Sequence, residues 1–134
     1  LKFSLAISLN GTTDRKRKEL MPGSEPIEET LAAAEYFSRI KGTRTTLEYV
    51  LIEGENDSED DAARLSEMTS GRPFKINIIP FNEWKGSPLK TPSEEILNRF
   101  IKLLLPSSPA VTVRRSRGKD ISAACGQLRY RRGG

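Results

Sequence analysis

The sequence predicts an α/β fold of parallel βα repeats in the order β-α-β-α-β-α-β. Four short runs rich in apolar or β-branched residues, at 3–8, 45–52, 74–79 and 110–113, are bounded by turn chemistry. The three segments between them carry apolar residues at helical spacing. Strands alternating with helices imply a parallel sheet with right-handed crossovers. A complete (β/α)₈ barrel needs roughly 250 residues. A chain of 134 residues therefore holds about half a barrel, or else a small open α/β sheet.

The first strand, 3–8, ends at Asn10-Gly11 and the threonines after it. The basic cluster 14–18 reads as a loop or a single helical turn, and Met21-Pro22-Gly23 as a second break. Ile27, Leu31, Ala34, Phe37 and Ile40 form one helical stripe, with Ser24 read as its cap, Pro26 in its first turn and Gly42 as its stop. The second strand, 45–52, leads into the polar loop 53–57. Ser58 caps the next helix with Asp61 three residues on; Ala62, Leu65 and Met68 face inward and Gly71 ends it. The third strand, 74–79, runs into Pro80-Phe81-Asn82 and a Gly/Pro loop through Pro88. Thr91-Pro92-Ser93-Glu94 reads as a capping box with proline at the first helical position. Ile96, Phe100, Leu103 and Leu104 are that helix's expected buried stripe, and Pro106 and Pro109 stop it before the fourth strand, 110–113.

A parallel sheet of this kind places ligands at the carboxyl ends of its strands. Those ends are Ser8-Leu9-Asn10, Ile52-Glu53-Gly54, Pro80-Phe81-Asn82 and Arg114-Arg115. All four carry polar or basic chemistry directly after an apolar run.

The net charge of +4 hides an asymmetry. Residues 114–134 carry seven Lys/Arg and one Asp, whereas the remainder is slightly acidic. A local basic patch attracts a polyanion such as nucleic acid. The end of it, 129–134, reads equally as a solvated basic tail behind a domain spanning 1–128. No secretory signal is visible and no apolar run is long enough to span a bilayer, so the cytoplasm is the default compartment. The chain starts at Leu1, inside an expected strand, as a fragment of something longer would.

One cysteine, Cys125, and no histidine exclude an internal disulfide, the usual zinc sites and a papain-like Cys/His mechanism within this chain. No P-loop or G-x-G-x-x-G is present. Free cysteine is commonly buried. Cys125 nevertheless sits among small residues, Ala123, Ala124 and Gly126, after Arg114, Arg115 and Arg117. If it reacts, nearby arginines can lower its pKa.

The segments LAISLN, ELMP, EYVLIEGENDS, KINIIPFN, VTVRRSRG and DISAACGQL occur in this order. Over residues 5–128 the chain resembles the radical-SAM RNA methyltransferases of the RlmN/Cfr type. The resemblance implies the C-terminal half of a partial (β/α)₆ TIM-like barrel. It implies methylation of an adenine carbon, with C2 expected, in large-subunit rRNA and in some members tRNA. It assigns Ser8, Leu9, Asn10 and Asn82 to S-adenosylmethionine. The family often has histidine at the place of Asn10, so a backbone contact is expected there. Cys125 matches the cysteine that is methylated and passes its carbon to the base, and Arg114, Arg115 and Arg117 would hold RNA phosphates. The [4Fe-4S] ligands of the family lie in a preceding half, and one thiol cannot hold a cluster. The chain alone is therefore expected to be inactive, and its open sheet edges predict self-association. The competing readings are a small basic RNA-binding α/β module without catalysis and a flavodoxin-like ligand domain. The latter is disfavoured by the missing glycine-rich phosphate loop.

Overall fold

Four parallel strands form one sheet in the sequential order β1-β2-β3-β4. The computed structural model describes residues 4–106 and 110–115. The elements are β1 (Ala6–Ser8), α1 (Asp14–Leu20), α2 (Ile27–Lys41), β2 (Thr45–Leu51), α3 (Glu59–Thr69), β3 (Phe74–Pro80), α4 (Glu94–Leu104) and β4 (Val111–Val113). A doubly wound sheet reverses its strand order at a switch point. Here the order never reverses, so crossovers of one hand put successive helices on one face, as in a barrel wall.

The core shows that face directly. Leu47, Tyr49 and Leu51 of β2 and Ile76 and Ile78 of β3 pack with Ile27, Leu31 and Ala34 of α2, Ala62 and Leu65 of α3, and Leu97, Phe100 and Leu104 of α4. Side chains alternate along a strand, so the residues between them face the other way. At the carboxyl end of that second face lies a smaller cluster of Leu20, Val50, Ile52, Ile79, Phe81 and Leu89. The end of α1 and the segment after β3 thus cover the top of the sheet.

Several expectations shift. The strand expected at 3–8 is β1, Ala6–Ser8; among the described residues it pairs with β2 alone. The basic cluster is a full helix, α1, capped by the Thr13 side chain accepting from Lys16 N at 3.1 Å. Ser24 does not cap α2; Pro26 occupies that position, and the Ile27 N–H donates to Asp14 Oδ1 at 2.8 Å. A carboxylate from one helix therefore satisfies the free donor of the next. The α2 stripe stops short: Ile40 is 62% exposed, and Ser38 takes the inward position, sharing a 2.5 Å hydrogen bond with Thr45 Oγ1.

The capping box of α3 forms as expected between Ser58 and Asp61. In α4 the cap is Ser93, not Thr91, and Pro92 precedes it. Its stripe is Leu97, Phe100 and Leu104, with Ile101 beside it, while Leu103 is exposed. The run Ile96-Leu97 and Leu103-Leu104 allows two adjacent stripes. Phe100 stacked on Tyr49 at 5.5 Å favours the one that includes Leu97.

Candidate functional site

At the end of β1 the chain turns sharply. Asn10 adopts φ 55°, a left-handed conformation that asparagine tolerates better than most residues. Its carboxamide closes the turn against β2: Oδ1 accepts from Val50 N at 2.8 Å and Nδ2 donates to Met21 Sδ at 3.2 Å. Its backbone carbonyl accepts from Asn56 Nδ2 at 2.9 Å. The Asn10 side chain is buried and already bonded. Gly11 follows because a Cβ there would meet the Arg17 backbone N at 2.9 Å.

Two polar residues that sequence reading did not single out organise this corner. Arg17 of α1 is buried. Its guanidinium donates to Leu9 O at 3.1 Å, to Ser8 O at 3.2 Å and to Glu25 O. Burial lowers its pKa from the ordinary arginine value, opposed by Asp14 and Glu25. Asn56, fully buried, donates to Val50 O at 2.7 Å and accepts from Ile52 N at 2.8 Å, besides its bond to Asn10. Its own carbonyl accepts from Tyr49 Oη at 2.6 Å. Burial first, then Asp61 and Asp57, pushes the Tyr49 phenol well above its ordinary pKa, so it stays a donor. Thr12 extends the network, donating to Asp61 Oδ1 at 2.5 Å and accepting from Arg64 Nε at 2.9 Å. The segment Ser8-Leu9-Asn10 is thus fixed by α1, by the end of β2 and, through Thr12, by the start of α3.

The sheet registers place Ser8 beside Glu48, Glu48 beside Asn77 and Asn77 beside Thr112. This polar row crosses all four strands on the face opposite α2, α3 and α4. Thr112 Oγ1 donates to Asn77 Oδ1 at 2.9 Å, and Arg114 reaches Glu48 at 3.8 Å. Arg115 pairs with Glu94 at 2.9 Å. Both arginines are more than half exposed, so these pairs contribute little and leave the charges in solvent. Asn82 lies exposed two residues beyond the end of β3. The structure therefore gathers Ser8, Leu9, Asn10, Asn82, Arg114 and Arg115 at one end of the sheet. Cys125 and Arg117 lie outside the described residues. Among the described residues no group of three or more His, Cys, Asp or Glu could hold a metal ion.

No protein-family model matches the chain. It is 47% identical over 130 residues to a protein of Geotalea uraniireducens named Dual-specificity RNA methyltransferase RlmN, covering 96% of this chain and 38% of that one. A protein of the same name from Geobacter sulfurreducens is 46% identical over 128 residues, covering 94% and 36%. The crystal structure of a radical SAM methyltransferase from Sphaerobacter thermophilus superposes with a TM-score of 0.85 at 43% identity, over 96% of this chain and 38% of that one. The chain is a homologue of the RlmN proteins. It spans a little over a third of the length of these RlmN relatives. A domain of pyruvate-formate lyase-activating enzyme from Bacteroides vulgatus, at 20% identity and a TM-score of 0.65, shares the fold. The TIM-like α/β architecture expected from the RlmN resemblance is the one observed.

Proposed function

We propose that this chain is part of a radical-SAM RNA methyltransferase acting on an adenine carbon, C2, of large-subunit rRNA and of tRNA. The observation that supports it best is the identity to RlmN proteins over nearly the whole chain. Ser8, Leu9, Asn10 and Asn82 are proposed to hold S-adenosylmethionine, and the chemistry present at the strand ends fits part of that task. Ser8 opens the polar row, and Asn82 is an exposed residue at the same end of the sheet. Asn10 serves through the shape of its turn, because its carboxamide is engaged elsewhere. S-adenosylmethionine would supply the methyl group. In this reading Cys125 carries the carbon as an S-methylcysteine, while Arg114, Arg115 and Arg117 hold RNA phosphates. A [4Fe-4S] cluster does not fit this chain, whose sequence has a single thiol. Its ligands are proposed to lie in the remainder of a longer protein.

The test uses a full-length protein containing this chain, with its cluster reconstituted, incubated with S-adenosylmethionine, reductant and rRNA. Mass spectrometry of the RNA should show a methyl group on adenine C2. Cys125→Ala should abolish it, and the 134-residue chain alone should add none. Undiminished methylation by Cys125→Ala, or methylation by the chain alone, would overturn the reading.

Compartment and assembly follow the same proposal. No helix among the described residues is long and apolar enough to cross a membrane, and we place the protein in the cytoplasm. β1 and β4 are the sheet edges among the described residues, each bordered by a strand on one side. The isolated chain should therefore self-associate. Light scattering after size exclusion should give a mass above that of one 15.0 kDa chain, rising with concentration. A monomer at every concentration refutes this.

A further inference from the structure

We propose that Trp84 is a stacking platform for an unpaired RNA base, set beside the strand end that carries Asn82. The inference rests on the reading that this chain acts on RNA. It adds a contact to the base itself, where the arginines offer only contacts to phosphate. Trp84 is the sole tryptophan of the sequence and stands 49% exposed. It is nevertheless firmly placed. Its ring meets Phe81 at 5.6 Å and 60°, and Phe81 is rooted in the apolar cluster with Val50, Ile52, Ile79 and Leu89. On its other side the chain closes a turn, with Ser87 N donating to Trp84 O at 2.9 Å and Gly86 at φ 81°. Seated on Phe81 at an angle rather than face to face, the indole keeps much of its surface in solvent.

The surroundings favour a nucleic acid. Lys85 follows the indole directly, Lys90 lies six residues beyond it, and both are exposed. Glu83 accepts from Thr91 N and Glu53 from Ser93 N, whereas Arg115 and Glu94, though paired, both keep their charges in solvent. Arg114 and Arg115 follow β4, the strand next to β3, and lie at the same end of the sheet. An exposed aromatic face among cations is the arrangement that grips single-stranded nucleic acid, because every base offers a π face. A duplex keeps its bases stacked on one another and presents none.

Because Trp84 is the only indole, its fluorescence reports on its own site. Titrating the chain with a short single-stranded RNA should quench it, and the same sequence as a duplex should not. Anisotropy of labelled single-stranded RNA should show roughly tenfold weaker binding by Trp84→Ala, with most affinity kept by Trp84→Phe. RNA binding without quenching, at an affinity that Trp84→Ala leaves unchanged, overturns the platform while leaving the RNA reading intact. Quenching by S-adenosylmethionine but not by RNA overturns it too, and assigns the indole to the cofactor. A full-length protein containing this chain that binds no RNA overturns both the platform and the RNA reading.

Discussion

Replacing Arg17 with methionine is expected to destabilise the fold by about 3 kcal/mol, the scale of leaving a few charge-assisted bonds unmade. Methionine fills similar space but donates nothing. The carbonyls of Ser8, Leu9 and Glu25 would each lose a donor, and Leu9 is fully buried. Lysine is not an adequate substitute. Its ammonium is a point charge, whereas the three carbonyls are reached by three different nitrogens of one planar group. Arg17→Lys should recover less than half of the loss. The local consequence matters more for function than the global one. Two of those carbonyls, of Ser8 and Leu9, belong to the segment proposed to hold the cofactor, so the full-length variant should also bind S-adenosylmethionine more weakly, under conditions where it remains folded. Urea unfolding of the two variants and calorimetric titration with the cofactor provide the checks. An unchanged urea midpoint for Arg17→Met would show that the guanidinium contributes nothing to this corner.

Arg17 also shows where sequence reading stopped. The central strands were legible almost to the residue, because their helix-facing positions, Leu47, Tyr49 and Leu51 in β2 and Ile76 and Ile78 in β3, are buried and apolar, while Glu48 and Asn77 alternate with them. α1 was not legible as a helix because its inward residues are Arg17 and Leu20, and a single leucine makes no stripe. The available signal was the cap, Thr13 followed by Asp14, ahead of residues that all favour helix. The strand-end rule pointed to Ser8-Leu9-Asn10 and to the segments that follow β2, β3 and β4. It could not say that Asn56, in a loop of charged residues, turns its amide inward. A polar side chain in a polar loop is normally solvated, and only the unpaired backbone groups of Asn10, Val50 and Ile52 give it a reason to be buried.

That burial makes Asn56→Asp the second large expected effect. Aspartate has the same shape, but its carboxylate would face the carbonyls of Asn10 and Val50, to which the amide now donates. Near neutral pH the loss should be about 3–5 kcal/mol, the cost of an uncompensated buried charge. The sign of its pH dependence follows from the surroundings. Burial and two facing carbonyls favour the neutral acid, so the carboxyl's folded pKa lies above its unfolded value of about 3.9. Below that pH both states hold the proton, and the acid can still donate to one carbonyl. Above it the unfolded state ionises first, so the penalty grows with rising pH and levels off only beyond the folded pKa. Asn56→Ala should lose about 3 kcal/mol by leaving backbone groups unpaired, with no such pH dependence. Each variant's urea midpoint is compared with that of the parent chain across the acid to neutral range. This subtraction removes the titration of all other groups. A difference between Asn56→Asp and the parent that does not change with pH would mean that position 56 opens to water and does not hold the strand ends together.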